Sequence, residues 1–142
     1  MHIEDVLASQ GVYVSTTSGV SMYPMLRDRC DTIIIRPVAD RLKKYDVPLY
    51  RRGEDYVLHR IVKVTPEGYV ICGDNCLNRE YQVTDREIIG VLRGFYRGDR
   101  EVDMDGIGYS LYCRFWVAIY PVRYVVKRGW MFAKRRLKCI LR

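Results

Sequence analysis

The chain has 142 residues, 49% of them apolar and 29% charged, with a formal net charge of +7. That balance excludes a wholly disordered chain, and the length predicts one domain whose core needs neither a disulfide nor a structural metal. No run of about 18 uncharged apolar residues occurs, which excludes a conventional transmembrane helix, and without a basic flank or an apolar segment near Met1 no secretory leader is expected.

In chain order, Ile3, Val6 and Leu7 have helical spacing with Gly11 as a stop, so residues 2–10 read as a short helix. Residues 12–17 alternate and are rich in β-branched side chains, which predicts a strand. Ser18-Gly19-Val20-Ser21 breaks it, and a short helical turn is expected over 22–26 with Pro24 in its first turn. Short apolar runs follow at 32–36, 47–51, 56–64, 69–72, 88–96 and 101–104, separated by Gly- and Asp-bearing turns. This pattern predicts a mainly β body, either a barrel or paired sheets, with 56–64 and 69–72 forming a hairpin through 65–68. After Gly108 the texture becomes helical, with breaks expected at Pro121 and Gly129. The expected organisation is a body over 1–108 and a basic amphipathic helical tail over 109–142.

The charge is concentrated in that tail. Residues 109–142 hold nine basic side chains and no acid; against a total of +7, the first 108 residues carry −2. Leu111, Phe115, Trp116, Ile119, Val122, Val125 and Val126 offer an apolar face, and Trp130, Phe132 and Lys134-Arg135-Arg136 follow. An anionic membrane surface is the expected partner; packing on the body and nucleic-acid binding are the alternatives. The five cysteines are odd in number and form no CxxC pair, so free thiols and no metal site are expected.

Three stretches carry candidate chemistry. In Gly19-Val20-Ser21-Met22-Tyr23-Pro24 a serine follows a strand-to-turn junction, where a hydroxyl and backbone N–H groups can converge as acyl transfer requires. His59, the only histidine besides His2, lies within an apolar run; a neutral imidazole there can take a serine proton. In Gly73-Asp74-Asn75 the carboxylate can orient that histidine, as can Glu80 or Asp85. An ordinary polar turn, a core histidine and ordinary turn chemistry account for the same residues.

Taken in order, Gly19-x-Ser21-Met22-x-Pro24, Asp46, His59-Arg60-Ile61-Val62, Gly73-Asp74-Asn75 and Ile89-Gly90-Val91 resemble the boxes of the signal peptidase I superfamily, which includes the self-cleaving repressors of the bacterial DNA-damage response. The resemblance covers about residues 12–104. It implies a β-rich serine endopeptidase core of the Ser-His type, with Ser21 as nucleophile, His59 as general base and Asp74 as the acid. Ser18, Ser21 and Met22 would form the oxyanion and substrate-binding set, and no cofactor is implied. Two positions depart from the family: Glu80 stands where a second aspartate is usual, and Tyr45 where a glycine precedes Asp46. No membrane anchor is expected before the serine box, and on that expectation the chain resembles small stand-alone bacterial members with a basic, aromatic extension. The expected location is cytoplasmic, peripheral on the inner face of the membrane, with a peptide or precursor protein as substrate. A catalytically silent peptide-binding β module and a nucleic-acid-binding accessory protein are the alternatives.

Overall fold

The computed structural model describes residues 2–141. The first helix is α1 (Ile3–Gln10), stopped by Gly11, whose φ of +69° is a left-handed conformation that glycine adopts without strain and whose N–H caps the Leu7 carbonyl. Nine strands follow: β1 (Tyr13–Thr16), β2 (Asp31–Arg36), β3 (Pro48–Arg52), β4 (Asp55–Leu58), β5 (Arg60–Val64), β6 (Tyr69–Cys72), β7 (Glu80–Val83), β8 (Ile88–Arg97) and β9 (Arg100–Val102). Two helices close the chain, α2 (Ile107–Ala118) and α3 (Tyr120–Ile140).

The strands make two antiparallel sheets. The larger runs β1-β2-β8-β3-β4, with β9 also on β8, and curls into a half-barrel; the smaller runs β5-β6-β7. Period-two alternation of side chains splits the central strands between two cores. Leu49 and Leu92 join Met22, Met25, Leu26, Ile33, Ile35 and Phe95 in one. Their neighbours Tyr50 and Val91 join Ile61, Tyr69, Ile71 and Val83 in the other. The expected mainly β body with a short N-terminal helix and C-terminal helices is therefore what the chain forms, and the C-terminal helices are two.

Several boundaries differ from expectation. The run 56–64 is not one strand: it bends at His59, with β4 completing the large sheet and β5 starting the small one. Strand β7 has no counterpart in the sequence reading, because Glu-Tyr-Gln-Val is neither apolar nor cleanly alternating. The expected helix over 22–26 is a turn with a single helical hydrogen bond, Leu26 N–H to Met22 O at 3.0 Å. The tail breaks at Ile119, and Pro121 sits in the first turn of α3, where its missing N–H costs nothing. Gly129 stays helical.

The two sheets and the tail meet on one ion pair. Arg60, fully buried, donates from Nε and Nη2 to the two Asp74 carboxylate oxygens at 2.8 and 2.9 Å. Its remaining donors reach Tyr45 O at 3.0 Å, Tyr109 Oη at 3.2 Å, Cys113 Sγ at 2.9 Å and Met25 Sδ at 2.9 Å. Tyr112 Oη donates to Asp74 Oδ2 at 2.8 Å. Removing one member strands a charge in the interior, a loss of about 3–5 kcal/mol. Arg60→Met is therefore expected to lower the unfolding free energy by that amount, and Arg60→Met with Asp74→Leu to recover part of it; urea denaturation measures both.

Candidate functional site

The loop between β1 and β2 carries Ser21 and is fastened at both its neck and its floor. At the neck, Thr17 N–H donates to Asp31 O at 2.9 Å and Thr17 Oγ1 to Arg27 O at 2.5 Å. Arg27 closes it with its backbone N–H on Asp31 Oδ2 and its guanidinium on Asp31 Oδ1, at 2.8 and 2.7 Å. At the floor, Met22, Met25 and Leu26 are buried in the larger core. Ser21, between the two anchors, is half-buried.

His59 lies where the chain passes from one sheet to the other. Ser21 and His59 line the same groove, of about 490 Å³, with Ser18, Gly19, Met22 and Cys76. The groove runs between β1 (Tyr13, Ser15, Thr16) and β4 (Tyr56, Val57, Leu58) over a floor of Leu26, Ile33 and Leu49. These are the two end strands of the curled sheet, so both its unpaired edges face one cleft. Among the described residues no hydrogen bond joins Ser21 Oγ to His59. Gly73 separates them: a Cβ there would lie 2.7 Å from Ser21 O and 3.0 Å from His59 Cδ2, so no side chain fits.

The other edge of the imidazole is held. His59 Nδ1 is 3.3 Å from Tyr50 Oη, and that hydroxyl donates to Glu80 Oε1 at 2.7 Å. A phenol has one proton, and with it directed to Glu80 the oxygen can only accept from the ring. Nδ1 therefore carries the hydrogen in neutral His59, and Nε2 has the free lone pair. Arg52 completes the cluster, with Nη2 on Glu80 Oε1 and 3.4 Å from Tyr50 Oη. Burial and the Arg52 charge push the His59 pKa below its ordinary value, against the opposing pull of Glu80 and Asp74.

Asp74 does not hydrogen-bond His59. Both of its carboxylate oxygens are committed to Arg60 and Tyr112, so the acid read as the partner of His59 is instead the partner of the next residue. Successive β residues point to opposite sides, which sends His59 to the groove and Arg60 to the interior. Asp85 is elsewhere, accepting from Tyr69 Oη at 2.5 Å. Glu80 is the carboxylate nearest the ring, 4.0 Å from Nδ1 and bridged to it by Tyr50. Tyr50 and Arg52 were not singled out from sequence; their only signal was an i, i+2 spacing that places both on one face of β3.

Among the described residues the backbone N–H groups of Ser21 and Met22 have no hydrogen-bond partner, and Ser18 is exposed at the rim. The arrangement offers a hydroxyl, an imidazole with a free Nε2, two unpaired N–H groups and two unpaired strand edges along one groove. No cluster of metal-ligating side chains occurs among the described residues. No family model matches the chain, and no curated protein matches it significantly.

A cation beside a buried imidazole disfavours its protonation, and a carboxylate favours it. His59 is therefore expected to titrate below the ordinary value of about 6.5, and Arg52→Gln to move its midpoint upward. Proton NMR of the imidazole C–H signals checks this, with His2 as the only other histidine.

Proposed function

We propose that the chain is a serine endopeptidase of the signal-peptidase-like type, with Ser21 as nucleophile and His59 as general base. The observation that carries this reading is the placement of Ser21 and a tautomer-fixed His59 on the wall of a groove flanked by two unpaired strand edges. An extended peptide can add to such edges through its main chain, leaving its side chains to the apolar floor. His59 Nε2 takes the Ser21 hydroxyl proton as Oγ forms a bond to the scissile carbonyl carbon. The carbonyl oxygen, now negative, receives the Ser21 and Met22 N–H groups. His59 then gives the proton to the leaving amine as the C–N bond breaks, and water hydrolyses the acyl-serine by the same steps.

The acid of the site is reassigned from Asp74 to Glu80, acting through Tyr50. The family resemblance is supported by a departure noted in the sequence: Tyr45, where a glycine is usual, has a φ of +80°, a conformation that favours glycine. Asp46 follows it, accepting the Lys43 N–H at 2.9 Å. Ser21→Ala is expected to stay folded and to lose both peptide cleavage and labelling by a fluorophosphonate acylating probe. Undiminished labelling of Ser21→Ala would assign the chemistry elsewhere, and no labelling of the wild type would favour a silent peptide-binding module.

We place the enzyme at an anionic membrane surface. Val122, Val126, Trp130, Leu137 and Ile140 recur on one face of α3 and are 57–78% exposed. Arg123 and Lys127, on the adjoining flank of the helix, reach the body. Residues 128–141 are exposed throughout, and the cations of the last turns flank the apolar stripe. This suits a helix lying in the headgroup plane. No helix among the described residues is long and apolar enough to cross a membrane. Each exposed side chain is worth about 1.5–3 kcal/mol on burial. The triple change Val126→Ser, Trp130→Ser, Leu137→Ser is thus expected to abolish sedimentation with phosphatidylglycerol vesicles and to leave the fold intact. Equal sedimentation would return the tail to a purely packing role.

A further inference from the structure

We propose that Trp116, Arg123 and Lys127, on the C-terminal helices, are positioning residues for the nucleophile, acting through the Asp74-Asn75 backbone and the Asn75 side chain on the turn that carries Ser21. The inference rests on the serine-peptidase reading for its catalytic consequence and on hydrogen bonds alone for the linkage.

The linkage is continuous. On the tail side, Trp116 Nε1 and Arg123 Nη1 both donate to the Asp74 carbonyl, at 2.8 and 2.7 Å. The Arg123 guanidinium stacks over the Trp116 ring, 4.5 Å from its centroid, so the two donors brace one another. Lys127 Nζ donates to Asn75 Oδ1 at 3.1 Å and also to the Asn75 carbonyl. On the nucleophile side, Asn75 N–H donates to Ser21 O at 2.8 Å, and Asn75 Nδ2 donates to Val20 O at 3.1 Å.

The Asn75 amide is thus read at both ends. Its oxygen faces Lys127 on the tail, and its nitrogen faces the carbonyl just before Ser21. With the oxygen fixed by a cation, the amide cannot rotate without losing a charge-assisted bond, so the nitrogen stays on Val20. Val20 O also accepts the Tyr23 N–H at 3.1 Å, the bond that closes the serine turn. Ser21 and Met22 N–H therefore keep the direction that oxyanion stabilisation needs only while the tail holds the 74–75 turn. The tail's polar flank positions the site, and the exposed apolar stripe beside it is left for the membrane.

The test uses the full chain and two readouts: the rate of Ser21 labelling by a fluorophosphonate, and amide exchange at Tyr23 and Asn75. Lys127→Met removes the tail contact. Asn75→Asp keeps an oxygen for Lys127 but loses the donor to Val20. Both are expected to slow labelling about tenfold, the effect of one charge-assisted or buried hydrogen bond. Both should speed exchange at the two amides with the His59 NMR midpoint and the thermal midpoint little changed, and Lys127→Arg should restore both readouts. Unchanged labelling and exchange in the first two variants overturns the proposal. So does slowing that merely tracks a lowered thermal midpoint and is not restored by Lys127→Arg. Faster exchange in a protein whose wild type is never labelled supports the linkage and instead overturns the peptidase reading.

Discussion

The Arg60–Asp74 pair lies at the point where four parts of the chain meet. Burying a guanidinium and a carboxylate costs several kcal/mol per ion unless every donor and lone pair is answered. Here the planar fork of arginine faces the carboxylate through two bonds, and its other N–H groups face a backbone carbonyl, a phenol and two sulfurs. Lysine, a point charge with three donors, could not make that set. The answering groups come from three places: Tyr45 from the turn before β3, Met25 from the serine loop, Tyr109 and Cys113 from α2. The pair therefore fixes the serine loop, the small sheet and the tail relative to one another.

Its demand on Asp74 shapes the neighbouring site. With Asp74 taken by Arg60, His59 has to find another group for Nδ1, and it finds Tyr50 backed by Glu80. Burial raises the Tyr50 pKa and the Glu80 carboxylate adds to it, so the phenol keeps its proton and remains a donor to Glu80. The proton order Nδ1–H to Oη, Oη–H to Oε1 follows, and it leaves Nε2 as the basic nitrogen. Arg52 tunes the cluster from its rim, lowering the affinity of the imidazole for a proton while satisfying Glu80.

The C-terminal helices show how one amphipathic segment divides its faces. Tyr109, Tyr112, Cys113 and Trp116 turn the first helix onto the ion pair, and Arg123 and Lys127 carry the contact into α3. Beyond Arg128 the helix leaves the body, with Trp130, Leu137 and Ile140 outward. Packing on the body and an outward apolar face are thus both properties of the tail, on adjoining faces of the same helices.

Much of this was legible in the residues. Alternation and turn chemistry located seven strand-forming runs, one of which holds both β4 and β5, and the helical texture after Gly108 placed the tail, because these signals are local and each reports one face meeting one environment. Ser21 and His59 stood out for the same reason, as reactive side chains in an otherwise apolar or turn-forming context. The rest depends on contacts distant in sequence. That 56–64 bends at His59 follows from two sheets sharing one run of residues, which no window of that run encodes. Glu80 was read as one of three candidate acids. Only the pairing of β7 with β6 and of β3 with β8 brings it to Tyr50, while Arg60 removes Asp74 from the choice. The chemical groups of the site are thus a property of the sequence. Which carboxylate serves which cation, and which nitrogen of His59 is left free, was decided by the fold, since a buried charge takes the partner whose geometry satisfies it rather than the one nearest in the chain.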